Sequence, residues 1–345
     1  MIRLHKCSAN PILMPKVGIP WENFCVLNPG VIYDEEHSRF VMLYRAAGND
    51  VKHIIRLGLA VSKDGITFER VSDKPVFDVD PNEPDGGCVE DPRIIKIDRY
   101  YYITYAARAL PAGQYWLTDQ KSLDIRRRWL GRQPQTAPAF YRNNNTVTYL
   151  ACTEDFIHYR RLGRITDSRE DDRDVVLFPK KINGRFARIT RPARGDDFSM
   201  RIAFSDDLVE WEKAEKLYSG TEGWESLKVG AGCPPLETDE GWILIYHGVS
   251  KKDGFYRVGA LLLDKENPKC VLSRTKHFIM EPEYEYETQG LYQGCVFPTG
   301  CVLKDGLLYI YYGCADKFIS LATIPLQELL AELKRPENSC AEYSE

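Results

Sequence analysis

No stretch of this chain is apolar for long enough to span a bilayer, and its first residues, MIRLHKCSANPILMPKVGIP, lack the uninterrupted apolar core of a secretory leader. Neither charge sign dominates. The net charge is -4 over 345 residues with no long run of one sign, which argues against a nucleic-acid or membrane-surface partner. The 10 cysteines contain no CxxC pair and the 6 histidines no His-x-His cluster, so neither a zinc site nor a disulfide framework is expected. Most cysteines lie in apolar or glycine-flanked runs such as VGAGCPP and YYGCADK, the setting of buried free thiols. These absences predict a cytoplasmic protein without a metal, whose binding comes from local sites.

What is present is strand. Hydrophobic residues make up 43% of the chain, enough to fill a sizeable core, and tyrosine alone occurs 20 times, much of it in short alternating runs. RFVMLYRA (39–46), YYYITYAAR (100–108), RFARITRPA (185–193), GWILIYHGV (241–249) and LLYIYYGCAD (307–316) each read as a half-buried strand. A proline motif precedes each: LNPG, EDPR, LFP, CPP and VFPTG, with Pro29, Pro92, Pro179, Pro234 and Pro298 read as loop residues. Most of the runs are followed by a strand with an aspartate-centred turn, as in LAVSKDGITFER, ACTEDFIHYRR and IAFSDDLVEWEK, which marks the outer hairpin of a blade. Five such units predict an all-β fold, a five-bladed β-propeller forming one domain over residues 1–345. An insertion in the second unit, about 110–146, reads as a surface excursion, a lid or a subunit contact, and its basic stretch SLDIRRRWLGRQ is expected to form a short helix. IPLQELLAELKR (324–335) has helical spacing and is expected to cap the last blade.

A propeller aligns one strand of every blade along a central channel. Read as those innermost strands, the five runs end at Arg45, Arg108, Arg191, His247 and Asp316, which brings residues remote in sequence to one pocket, although an inter-blade ion pair accounts equally well for Arg108. Asp91, in GGCVEDPRI, would enter that channel with its backbone held extended by Pro92, the placement of a general acid. A local pair between Glu90 or Asp91 and Arg93 is the simpler alternative. Arg173, Arg191, Lys228 and His247 fall on loops or strand ends of the third and fourth units. Several cations facing one channel in an acidic protein imply an anion between them, and arginine forks suit phosphate or carboxylate oxygens.

The ordered set LNPG, GCVEDPRI, FPKKINGRF followed by RP, KVGAGCPP, GWILIYHGV with YRVGALLLDKENP, and YYGCAD resembles glycoside hydrolase family 130, the β-mannoside phosphorylases and a minority of β-mannosidases, over nearly the whole chain. The resemblance implies that Asp91 is the general acid, protonating the glycosidic oxygen through a hydroxyl of the mannose. It implies that Arg173, Arg191, Lys228 and His247 bind phosphate, with Arg169 competing for the place of Arg173, and that Asn28, Arg45 and Asp316 surround the mannosyl ring. Inorganic phosphate would be the co-substrate with no other cofactor, α-mannose 1-phosphate the product, and a homo-oligomer a common assembly.

An inverting hydrolase needs a second carboxylate to activate water, whereas phosphorolysis needs only the acid and a grip on phosphate. The basic set favours the phosphorylase. Its rivals are an inverting β-mannosidase using Glu225 or Glu237 as base, and a carbohydrate-binding propeller without turnover. The acceptor sugar, and 1,2- against 1,4-linkage, depend on rim loops at 110–146 and 274–290 and stay open.

Overall fold

The computed structural model describes residues 2–117, 119–121, 123–124 and 133–340. Five antiparallel sheets follow one another along the chain. Blade one is Cys25–Asp34, Arg39–Ala47, Arg56–Ser62 and Glu69–Arg70; blade two is Cys88–Ile97, Tyr100–Arg108, Val147–Thr153 and Tyr159–Arg164. Blade three is Asp172–Leu177, Phe186–Pro192, Met200–Ser205 and Glu215–Tyr218. Blade four is Lys228–Ala231 with Leu236–Thr238, then Gly241–Val249, Tyr256–Leu263 and Val271–Arg274. Blade five is Val296–Lys304, Leu307–Cys314 and Phe318–Pro325, completed by His5–Lys6 from the start of the chain. Each blade packs on the next, and blade five on blade one, so the five form a closed propeller.

Sequence repetition shows in the turns. Ser62, Thr153 and Ser205 each accept a backbone N–H three residues on, while Asp64, Asp155 and Asp207 each accept the two N–H groups beyond them. The same short polar cap therefore closes the outer hairpin of the first three blades.

The aromatic runs are strands within two residues of the expected bounds, but each is the second strand of its blade. The innermost strand is the segment before it, and the proline motifs lie within that strand in blades one, two and five and beside it in blades three and four. Proline cannot donate to a ladder, and it is accommodated here by β-bulges. The innermost register slips between Leu27 and Gly30, Glu90 and Arg93, Arg173 and Val176, and Pro298 and Gly300. In the first three blades the slip contains a left-handed residue: Asn28 at φ 46, Asp91 at φ 55 and Asp174 at φ 60. Asp91 is thus not extended as expected, because the bulge, rather than Pro92, sets its backbone. Asn and Asp are the side chains that occupy this region at least cost.

Apolar residues of facing sheets fill the spaces between blades. Leu329, Leu330 and Leu333 of the C-terminal helix close the cluster between blades four and five. That helix is Leu326–Leu333, starting later than expected because Ile324 and Pro325 still belong to the preceding strand. The described part of the insertion includes the short helix Ala139–Asn143 and helical residues at 120–121 and 123–124, and most of SLDIRRRWLGRQ lies outside the described residues. All 10 cysteines are free thiols, seven of them buried. Among the described residues no helix is long and apolar enough to cross a membrane, and no group of three or more His, Cys, Asp or Glu side chains is arranged to hold a metal ion.

Candidate active site

The bulges turn side chains from three innermost strands into the channel, where they line a cavity of about 400 Å³. All eight candidates from the sequence line it: Asn28, Arg45, Asp91, Arg173, Arg191, Lys228, His247 and Asp316. Arg108 does not; its Nε lies 3.5 Å from Glu90 Oε1 in its own blade. Arg169 is 82% exposed and pairs with Asp167, so Arg173 alone of the two competitors reaches the cavity.

The acidic side is built around Arg45. Its Nη1 donates to Asp91 Oδ1 at 2.9 Å and lies 2.8 Å from Glu90 Oε2, while Asn28 Nδ2 donates to the same Asp91 oxygen at 2.8 Å. Gly313 makes room for this: a Cβ there would stand 2.0 Å from Asn28 Oδ1. Burial pushes the Asp91 carboxyl upward, but Arg45, Arg93 and the Asn28 hydrogen bond outweigh it and hold the group below the usual range. Arg93 Nη1 donates at 2.9 Å to the backbone oxygen of Asp91, so the local pair expected as an alternative involves the main chain. Asp316 makes no hydrogen bond among the described residues. Burial, reinforced by Asp91 and Glu90 and opposed by Arg45, pushes it up to about 6.

The cationic side has a carboxylate behind each arginine. Arg173 forks onto Asp171 at 2.8 Å through Nε and Nη2, and Arg191 donates to Asp174 Oδ2 at 2.8 and 2.6 Å. Lys228 has no ion pair among the described residues and lies 4.9 Å from the centre of the Tyr256 ring. Burial first, then Arg191, pushes its ammonium down to about 8. His247 is fully buried and both ring nitrogens lack a hydrogen-bond partner among the described residues. Burial drives its pKa down to about 3 despite the Asp174 carboxylate 3.7 Å away, so the ring is neutral near pH 7. An uncompensated lysine, a neutral imidazole with open valences and two braced arginines form a site for an anion with several oxygens.

Neither carboxylate expected for the hydrolase reading lines the cavity. Glu225 accepts from Tyr218, Thr221 and Tyr246 at 2.7–2.8 Å as a buried strut of the blade four region. Glu237 pairs with Lys180 and Lys265 at the outer surface.

Asp171, Asp174, Tyr256 and Tyr292 also line the cavity and were not singled out from the sequence. For Asp174 a signal existed in the match of its bulge to those of Asn28 and Asp91, but without a following proline it is hidden. Trp116 packs on Phe24 and His53 at centroid distances of 4.8 and 4.6 Å, and Tyr115 of the insertion and Leu291 both pack against the buried cluster that contains Cys25, Leu27 and Ile55.

Comparison with known proteins agrees with this architecture. The glycoside hydrolase 130 family model, described as beta-1,4-mannooligosaccharide phosphorylase, matches residues 4–129 and 139–335. A 1,2-beta-oligomannan phosphorylase of Thermoanaerobacter sp. (strain X514) is 37% identical over 95% of this chain and 99% of its own length. A beta-1,2-mannobiose phosphorylase of the same organism is 36% identical with the same coverage of both chains. The solved structure of a Listeria innocua beta-1,2-mannobiose phosphorylase in complex with beta-1,2-mannobiose superposes with a TM-score of 0.76 at 24% identity, over 96% of this chain and 99% of that one.

Proposed function

Since this chain belongs to glycoside hydrolase family 130 and is a glycoside phosphorylase, we propose that it cleaves β-mannosides by inverting phosphorolysis, releasing α-mannose 1-phosphate and a shortened acceptor. The carrying observation is one cavity lined both by a hydrogen-bonded carboxyl, Asp91, and by the Arg173, Arg191, Lys228 and His247 set. Relatives 37% and 36% identical are named for β-1,2-linked substrates, which makes β-1,2-mannobiose the first substrate to try.

In this reading Asn28, Arg45 and Asp316 surround the mannosyl ring. Asp91 delivers a proton through a ring hydroxyl to the glycosidic oxygen, and phosphate attacks the anomeric carbon from the opposite face. Phosphate is already an anionic nucleophile, so the cations have only to hold and aim it; orientation and electrostatic preorganisation supply most of the rate. Asp91 is held ionised in the free protein and must be protonated to act. Phosphate brings negative charge across the cavity and the sugar displaces water, and both raise its pKa, so proton uptake accompanies substrate binding. No cofactor beyond phosphate is needed.

The test is phosphate dependence with β-1,2-mannobiose. Sugar phosphate should form only when phosphate is present, whereas release of free mannose at one rate with and without phosphate would establish the hydrolase instead.

Lys228 adds a pH signature. Below about 8 it is charged in the free protein; above that it is neutral. Binding a phosphate anion then requires proton uptake, so KM for phosphate should rise by up to about tenfold per pH unit on the alkaline side. Initial rates against phosphate across that range, for the native protein and Lys228→Met, check it: the variant should have a high KM without the alkaline rise.

A further inference from the structure

We propose that Asp174 is the positioning residue of the phosphate clamp, acting on phosphate through Arg191. The proposal rests on the phosphorylase reading and adds a residue to it. Asp174 is 2% exposed and stands at the third-blade bulge, in the same left-handed conformation as Asn28 and Asp91 in blades one and two. One position of the repeat therefore has three uses: an amide that holds the acid, the acid itself, and a carboxylate beneath the cations.

Its contacts specify the role. Oδ2 accepts from Arg191 Nε at 2.8 Å and Nη2 at 2.6 Å, and His247 Nε2 stands 3.7 Å from the same oxygen. Oδ1 faces Arg93 Nη2 at 3.5 Å. Arg191 is thereby held by one edge of its guanidinium, while Nη1 makes no hydrogen bond among the described residues and is left for an anion. Arg191, Arg93 and Lys228 gather in a buried space, and the carboxylate offsets their mutual repulsion while phosphate is absent. The space is kept by Gly230, where a Cβ would stand 2.4 Å from His247 Cε1 and 2.5 Å from Asp174 Oδ2. Burial pushes the Asp174 carboxyl up, but Arg191, with Arg93, holds it well below the usual carboxylate range.

The repeat supplies the test. Asn28 shows that asparagine fits this backbone conformation, so Asp174→Asn removes the charge and leaves the bulge. KM for phosphate should rise about tenfold or more, with KM for β-1,2-mannobiose changed less than about twofold. If the two KM values rise together, or neither moves, the proposal is overturned. A cycle with Arg191→Gln guards against a folding defect. Asp174→Asn should add no further rise in phosphate KM in that background, and the double variant should melt higher than Arg191→Gln alone, because it no longer buries a carboxylate that has lost its hydrogen-bonded arginine. Additive effects on phosphate KM would sink the idea. If the native protein turns over mannobiose without phosphate, it is the phosphorylase reading that fails, and that control is read before any variant.

Discussion

Asp91→Asn is expected to lower kcat for β-1,2-mannobiose by about a thousandfold, in the middle of the range that a positioned general acid contributes. The substitution is nearly isosteric. Asparagine keeps an oxygen to accept from Asn28 and Arg45, now at 2.8 and 2.9 Å, and it tolerates φ 55 as Asn28 tolerates φ 46. Stability and ligand binding should therefore change little while proton delivery is lost. The rate with an aryl β-mannoside bearing a strongly electron-withdrawing leaving group separates the acid from other roles. Such a leaving group departs without a proton, so its phosphorolysis should fall far less than that of the disaccharide. Equal losses with both substrates would remove Asp91 from the acid role and leave it a residue that only shapes the cavity.

The blades were readable because their second strands are uninterrupted runs rich in apolar and aromatic residues, although most are packed on both faces rather than half-buried as expected; YYYITYAAR and GWILIYHGV coincide with strands Tyr100–Arg108 and Gly241–Val249. Radial order was not readable. The innermost strands are broken by bulges and prolines, so CVLNPGVIYD and CVEDPRIIKI read as loops running into strands. The same break hid Asp174. Aligning the third unit on Pro179 put the marker on the residue after Phe178, beyond the strand, whereas the repeat is conserved in backbone conformation at Asp174. Cations at strand ends could be named because charge in an apolar run is conspicuous. Tyr256 and Tyr292 could not, since nothing local distinguishes them from the other tyrosines.

The largest stability effect is expected at Arg45. The residue is 7% exposed, and its guanidinium sits between Glu90 and Asp91, at 2.8 and 2.9 Å. Arg45→Met replaces the stem with one of similar length and removes only the charge and its donors. Glu90 keeps its ion pair with Arg108 at 3.5 Å, whereas Asp91 keeps the Asn28 hydrogen bond but loses its ion pair. Breaking a buried pair from one side costs about 3–5 kcal/mol, more than packing by the methionine returns. The pH dependence follows from the sign of the Asp91 shift. Arg45 helps to hold that carboxyl below its usual range, so the stabilisation it gives is present above the unfolded pKa and lost as pH falls. In the variant the carboxyl is free to take a proton at higher pH, which relieves its unpaired charge. Urea denaturation should therefore show the full deficit near neutral pH and a smaller one at about pH 5. An equal deficit at both would mean that Arg45 stabilises the channel through packing, and that the charge balance beneath Asp91 is held by other groups.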